Sequence, residues 1–393
     1  LTPRILYFLI LEYIVMNILE NALNEIRSTR QMSDATFNNY VRYTLYIYRL
    51  ISGKGKQEVK KLAQITDFEW LGDTETINTL VENTKTKNSL RGYLNTLNVL
   101  LMQIDPELYS AQILRLKKEI HDINQQQQNT FKYQLKNEKE QANWVSWKEV
   151  KNLHKELSVR YNELKKKKHL DDEELDFIKS FTILSFYVLN PPRRISDYAN
   201  LKYVDEKQDQ FPNETDIKLI DLIEIDPSLT QFNYIVRTED NKYYFVFNQY
   251  KTKHIYGTGQ KVEISYNLGR IITHWIKINK ERIKQFLYHR SSPLDSPFMF
   301  LTKDNKPLKH QHIGSTLNRI FKERFDKKVS ASMLRHSYVS NYLRYSRPLL
   351  DREMIATKMG HSIGVQEGTY RKLEGKAANK SQKLKMMEQH PNT

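Results

Sequence analysis

The sequence predicts a mainly α-helical protein with one small antiparallel β-sheet, an α+β chain in two unequal parts. Three observations predict it. Apolar residues recur at helical spacing through most of the 393 residues, several times behind a Ser or Asp at a capping position. Runs of β-branched and aromatic residues are short and cluster between 234 and 264. A polar stretch opened by Gln125-Gln126-Gln127-Gln128 separates the parts.

Residues 1–29 read as an N-terminal extension. The chain opens with Leu1, and the apolar run Ile5–Leu11 is followed by no small-residue cleavage site. An amphipathic stretch begins at Met16, so residues 1–15 are expected to lie upstream of the native start or to mark a truncated sequence, which N-terminal sequencing of native protein checks. Residues 30–124 read as an all-helical domain. Ser33-Asp34 caps a helix with Phe37, Tyr40, Val41 and Tyr48 on one face, ending at Gly53-Lys54-Gly55. A second helical stretch starts near Thr84 and carries Tyr93, Leu94, Leu97, Leu100 and Leu101, and a less regular segment around Leu71-Gly72-Asp73 lies between them.

Residues 125–143, low in apolar content, read as a linker. A larger domain over 144–375 opens at Trp144-Val145-Ser146-Trp147, where Ser146 and Glu149 form a capping box for a helix to about Lys168. Another helix covers Asp171 to Leu189 and stops at Asn190-Pro191-Pro192, because proline cannot continue it. Tyr234-Ile235-Val236 and Tyr243 to Phe247, with Asp240-Asn241 between them, and then Val262-Glu263-Ile264 after Gly257-Thr258-Gly259, make the antiparallel sheet. From Leu268 the pattern is helical again, apart from Phe298-Met299-Phe300-Leu301 and the turn Asp304-Asn305. Residues 376–393 form a Lys-rich tail, and no internal repeat is present.

Composition narrows the partners. The balance of 62 Lys+Arg against 46 Asp+Glu leaves a net charge of +16, which draws the chain toward polyanions and above all nucleic acid. Arg42, Lys85, Lys87 and Arg91 sit among hydroxyls and amides in the helical domain, the mixture that DNA phosphate contacts use, although a solvated helix face has the same look. The chain has no cysteine, which excludes disulfides, Cys-ligated zinc, iron–sulfur clusters and thiol nucleophiles. No apolar run is long enough to span a bilayer, so no membrane partner is expected.

Four short boxes in the larger domain stand in a fixed order. They are Arg193-Arg194-Ile195-Ser196-Asp197, Tyr250-Lys251-Thr252-Lys253, Ser332 with Met333-Leu334-Arg335-His336, and Gly360-His361-Ser362 with Tyr370 nine residues beyond His361. In these boxes the chain resembles the tyrosine recombinase, or phage integrase, family over about residues 144–375, and its first helical part is similar to that family's core-binding domain. The resemblance implies a DNA strand-cutting and rejoining enzyme without cofactor or metal, in which Tyr370 forms a 3′-phosphotyrosyl bond. It implies that Arg194 and Arg335 grip the phosphate, that Lys251 on a hairpin is the general acid, and that His361 helps with the phosphate or the phenol proton. A phenol suits the task because its phosphate ester survives in water yet returns to a DNA hydroxyl, and paired guanidinium forks stay charged against phosphate.

Some alternatives stay open. Arg193 competes with Arg194, and Lys253 with Lys251; Asp197 reads as a carboxylate that fixes the arginine, and His336 as catalytic or as a buried partner of Arg335. Ser332 stands where the family carries a histidine, and a hydroxyl can bond phosphate but cannot serve as an imidazole. The resemblance further implies double-stranded DNA as partner, a homotetramer on DNA, a place inside the cell at DNA, and a viral or mobile element as home, with DNA integration, excision and resolution all open as the reaction. The alternatives are a type IB topoisomerase, whose pattern carries Lys at the position of Ser332, and an inactive DNA-binding protein of the same fold.

Overall fold

The computed structural model describes residues 18–30, 32–206, 218–280, 294 and 296–389. They are mostly helical with one four-stranded mixed sheet, and the chain divides into two compact units between Thr130 and Phe131.

The described part of the first unit is all helix: α1 (Ile18–Thr29), α2 (Asp34–Ser52), α3 (Glu69–Gly72), α4 (Thr74–Asn83), α5 (Lys87–Ile104) and α6 (Ser110–Lys132), whose last turn crosses the division. Local chemistry sets the ends. The side chains of Ser33, Asp73 and Thr86 accept backbone N–H groups at the starts of α2, α4 and α5, and Gly53 closes α2 in the left-handed conformation at φ 68°. Leu23, Ile26, Ile47, Leu94, Leu97 and Leu100 fill the core.

Two expectations change here. Residues 18–29 are no extension, since α1 buries Leu19, Leu23 and Ile26 in that core; residues 1–17 lie outside the described residues. The Gln tract is not an irregular linker either. It lies in α6, where Gln127 Oε1 accepts from Arg91 at 2.8 Å, Gln127 Nε2 donates to Asn88 at 2.7 Å, and Gln126 accepts from Lys87. Glutamine propagates a helix well, and Ile113, Leu116 and Ile123 supply a buried stripe that low mean hydropathy conceals. The irregular segment at Leu71-Gly72-Asp73 is the junction of α3 and α4.

The second unit contains α7 (Glu138–Asn143), α8 (Trp147–Leu164), α9 (Asp172–Val188), α10 (Ile195–Tyr198), β1 (Lys202–Asp205), α11 (Leu219–Ile225), β2 (Tyr234–Arg237), β3 (Tyr243–Phe247), α12 (Lys253–Tyr256), β4 (Gln260–Glu263) and α13 (Tyr266–Ile278). It continues with α14 (His310–Phe325), α15 (Ala331–Tyr342), α16 (Leu349–Lys358), α17 (Ile363–Val365), a π-helical turn (Gln366–Tyr370) and α18 (Gly375–Gln389). Capping boxes at Ser146/Glu149 and Asp171/Glu174 open α8 and α9.

The sheet order is β1-β2-β3-β4, and β1 runs parallel to β2, with Lys202 opposite Tyr234 and Asp205 opposite Arg237. The sheet is therefore mixed, not purely antiparallel. β1 is four residues long, with a charged residue at either end, too short for alternation to mark it. In β2 and β3 the strand period divides the side chains cleanly. Ile235, Phe245 and Phe247 face the helical core with Phe181, Phe186 and Phe321, while Tyr234, Val236 and Val246 pack with Val204 and Ile223 on the other face. The Phe298–Leu301 stretch makes only isolated bridges, Lys202 to Phe298 and Leu301 to Pro307. The expected tail is helical in α18 as far as Gln389, and Ser381 in it donates to the Tyr133 carbonyl at 2.7 Å. No helix of the described residues is long and apolar enough to cross a membrane.

Two histidines in this core make it acid-sensitive. His154 Nε2 lies 2.9 Å from Ser185 Oγ with its ring on Phe181, and His274 Nδ1 lies 2.9 Å from the Tyr161 hydroxyl. Burial lowers both to about 4, and Lys165 and Lys277 add to the effect at His274. The unfolded chain takes these protons near pH 6.5 and the folded chain does not, so their contribution is whole above 6.5 and drains as pH falls toward 4. The slope for His154 is at most ~1.4 kcal/mol per pH unit, and less for the more open His274. Urea unfolding between pH 7 and 5 is expected to show falling stability, and His154→Phe, which keeps the ring stack, to flatten the slope. A wild-type stability flat over this range contradicts the assignment.

Candidate active site

The site is organised by the end of α16. Gly360 takes the left-handed conformation at φ 68°, with Gly360 N bonded to Thr357 O at 2.9 Å and His361 N to Ala356 O at 3.1 Å, the paired bonds of a glycine-capped helix terminus. The next three carbonyls each accept a guanidinium. Arg193 Nη1 donates to Lys358 O at 3.0 Å, Arg335 Nη1 to Met359 O at 3.0 Å, and Arg194 Nη1 to Gly360 O at 2.8 Å. Thr252 Oγ1 also donates to Gly360 O, at 3.0 Å. The partial negative charge of a helix C-terminus favours cations there, so one short turn gathers three arginines from two distant boxes.

The arginines differ in burial. Arg193 is 1% exposed, its Nε bonded to buried Asp197 at 2.9 Å and its guanidinium 3.8 Å from the Phe247 ring centre. Asp197 thus fixes Arg193, its neighbour in the box, while Arg194 is half-buried. Arg335, on α15 beside Val339 and Leu343, is also 1% exposed, and its Nη1 donates to Pro192 O at 3.0 Å as well. Burial pulls Arg335 below the usual arginine value, while the Tyr370 phenol works the other way.

Tyr370 ends the π-helical turn, packed with Val339, Leu343 and Met359 and 9% exposed. The Arg335 guanidinium lies 4.5 Å from its ring centre, and the His361 ring stacks on it at 5.0 Å. His361 Nδ1 faces the Ser362 carbonyl at 3.2 Å, which can only accept, so the ring proton sits on Nδ1 and Nε2 carries the lone pair. Burial, then Arg335, lowers His361 to about 3, which keeps it neutral at neutral pH. His336 Nδ1 lies 3.0 Å from the Tyr370 carbonyl, the buried-partner arrangement, though toward Tyr370.

Several buried polar atoms here have no partner among the described residues: Arg335 Nε and Nη2, Arg193 Nη2, His361 Nε2 and the Gln366 amide. Unpartnered buried donors are costly, and the free guanidinium N–H groups of Arg335 beside a phenol suit an anion, whereas His361 Nε2 presents a lone pair. Among the described residues no group of three His, Asp or Glu side chains converges as a metal site.

The structure brings Arg194, Arg335, His361 and Tyr370 together and leaves others at a distance from these contacts. Lys251 and Lys253 are exposed, flanking Thr252, and Lys253 Nζ donates to Gln249 at 2.8 Å. They lie in the β3–β4 connection beyond the strand end, with Lys253 opening α12. Ser332 is exposed on the first turn of α15. In the first unit Arg42 is exposed with a bond to Asn39, Lys85 is exposed, and Lys87 and Arg91 bond the amides of α6. Thr252 and Gln366 went unnoticed in the sequence; a threonine between two lysines was the one visible sign.

Gly360 has a direct consequence for stability. A Cβ there would stand 2.7 Å from Arg193 Nη2, on a backbone that L-residues avoid. Gly360→Ala is expected to cost at least ~1–2 kcal/mol by urea unfolding. An unchanged midpoint contradicts the placing of the Arg193 side chain.

No protein-family model matches the chain, and no curated protein matches it. Among solved structures it is similar to one titled as the crystal structure of XerA recombinase, at 13% identity and a TM-score of 0.35, over 96% of this chain and 99% of that one.

Proposed function

We propose that this chain is a tyrosine-type DNA strand transferase, a site-specific recombinase that cuts and rejoins double-stranded DNA through Tyr370. The observation that carries the reading is the buried Arg335 guanidinium, 4.5 Å from the Tyr370 ring centre, whose Nε and Nη2 have no hydrogen-bond partner among the described residues. A scissile phosphate would satisfy them, and the fixed charges would stabilise the phosphorane as it forms. In the first step Tyr370 Oη bonds to phosphorus and the bond from phosphorus to the 5′ oxygen breaks. The phenol proton passes to solvent, or to His361 Nε2 once the bound phosphate's charge raises the basicity of that buried ring, and a lysine of the Lys251–Lys253 loop returns a proton to the 5′ oxygen. Arg194 and Arg335 hold the non-bridging oxygens, with Ser332 at most a hydroxyl donor. Arg193 serves as the buried support of this pair. The reverse reaction with a new 5′ hydroxyl rejoins the strand. No step calls for a cofactor.

The reading extends to a homotetramer on DNA, with Arg42, Lys85, Lys87 and Arg91 as phosphate contacts, and to integration of a viral or mobile element. The test is covalent capture. The protein is incubated with a pool of nicked duplexes, denatured, and digested for mass spectrometry. A nucleotide remnant on Tyr370 is the expected result, and a protein that binds duplex DNA but forms no covalent species contradicts the reading. Supercoiled plasmid separates the rivals, because relaxation at no dedicated site favours a topoisomerase.

A further inference from the structure

The segment that opens the second unit is bonded to the chain on both sides of Tyr370. The Gln134 amide donates to Glu367 O at 2.9 Å, and the Gln134 carbonyl accepts from Leu373 N at 2.9 Å. Tyr370 lies midway between those two attachments. Gln134 makes both bonds from a left-handed backbone at φ 52°, a conformation that costs a non-glycine residue roughly 1 kcal/mol or more.

Glu140 supplies a second attachment. Its side chain is largely buried, with Oε2 3.0 Å from Lys372 Nζ and Oε1 3.7 Å from His336 Nε2. Lys372 is two residues past Tyr370 and also donates to Leu135 O at 3.3 Å. His336 Nδ1 donates to the Tyr370 carbonyl at 3.0 Å. Glu140 therefore holds the chain two residues past Tyr370 through Lys372, while the His336 ring, kept neutral by burial, lies beside it without a bond, and neither contact touches the atoms that react. The need for such bonds is local. Tyr370 closes a π-helical turn, a wide and rarely stable form, and the chain after it is irregular until α18.

We propose that Gln134 and Glu140 are positioning residues that brace the Tyr370 turn and set the line of attack of the phenol. The proposal rests on the reading of Tyr370 as the nucleophile. The brace gives a part to a largely buried carboxylate and a left-handed glutamine, and it makes strand cleavage depend on how residues 134–140 are seated. With the segment released, the arginines keep their carbonyls at the end of α16 while the nucleophile loses its alignment. A displacement of about 1 Å is enough to slow such a reaction by roughly a hundredfold.

Two variants of the full chain test this. Gln134→Gly keeps the left-handed backbone and its carbonyl and deletes the side chain whose amide bonds Glu367 O. Glu140→Gln keeps one oxygen for the helix cap, in which the side chain accepts from Asn137 N at 3.0 Å, and removes the charge that pairs with Lys372. At saturating nicked duplex each is expected to slow the single-turnover rate of covalent capture by roughly tenfold, and the pair by roughly a hundredfold. DNA affinity should stay within about twofold of wild type, because no proposed phosphate contact is altered. A 3-fluorotyrosine placed at position 370 reports alignment without DNA, and its fluorine resonance is expected to shift or broaden in both variants. An unchanged capture rate overturns the proposal whatever the resonance does. If the wild type captures no DNA, the nucleophile reading fails by itself, and the resonance then decides the brace: unmoved in both variants overturns it, moved supports it. If Glu140→Gln does not fold, Gln134→Gly carries the same tests alone.

Discussion

Tyr370→Phe is expected to reduce covalent DNA capture to background while leaving the fold and DNA affinity nearly intact. The substitution removes one oxygen. The ring contacts with Arg335 and His361 and the packing against Val339, Leu343 and Met359 are all available to phenylalanine, so stability should change by less than about 1 kcal/mol. The chemistry has no substitute, because a phosphotyrosyl bond needs the phenol oxygen and no other tyrosine among the described residues stacks on His361. The measurement is a denaturing gel of protein with nicked duplex, alongside filter binding. A Tyr370→Phe protein that still traps DNA would move the nucleophile elsewhere.

Arg335 carries the second large effect, and here fold and chemistry are joined. Its Nη1 serves two carbonyls, Pro192 and Met359, from two distant parts of the chain. Arg335→Ala deletes a fully buried side chain and strands both acceptors, which is expected to cost about 3–5 kcal/mol. Arg335→Lys is the sharper experiment. The ammonium keeps the charge and can hold a carbonyl, but it lacks the planar fork whose Nε and Nη2 are unpartnered here. Capture is expected to fall by roughly a hundred- to a thousandfold, with a loss of about 1–2 kcal/mol in urea unfolding. Wild-type capture by the Lys variant would remove Arg335 from the phosphate. Equal losses in capture and in folded fraction would make its role purely structural.

Much of the fold was open to reading because its signals are local. Ser33, Ser146 and Asp171 each satisfy an N–H within three residues, so a cap shows in a few letters whatever the tertiary setting. β2 and β3 were visible as short runs of β-branched and aromatic residues around a turn. β1 was not, since a parallel partner more than thirty residues away leaves no mark in four residues. The Gln tract misled for a related reason. Polarity measures solvation, not secondary structure, and the amides of α6 spend their polarity on Lys87, Asn88 and Arg91.

The sequence by itself determined the order and chemistry of the boxes: two arginines after a proline stop, a lysine pair after a strand, an arginine on a helix, and a tyrosine nine residues past a histidine. It also determined the helix ends and the cysteine-free, basic character of the chain. Only the tertiary structure decided which arginine is buried against Asp197, that three consecutive carbonyls at the end of α16 receive the three guanidiniums, and that Gln134 and Glu140 flank Tyr370. The reason is physical. Residue type and near-neighbour spacing fix what a side chain can do, whereas burial and partner choice depend on how separate segments of the chain meet, which no local pattern encodes.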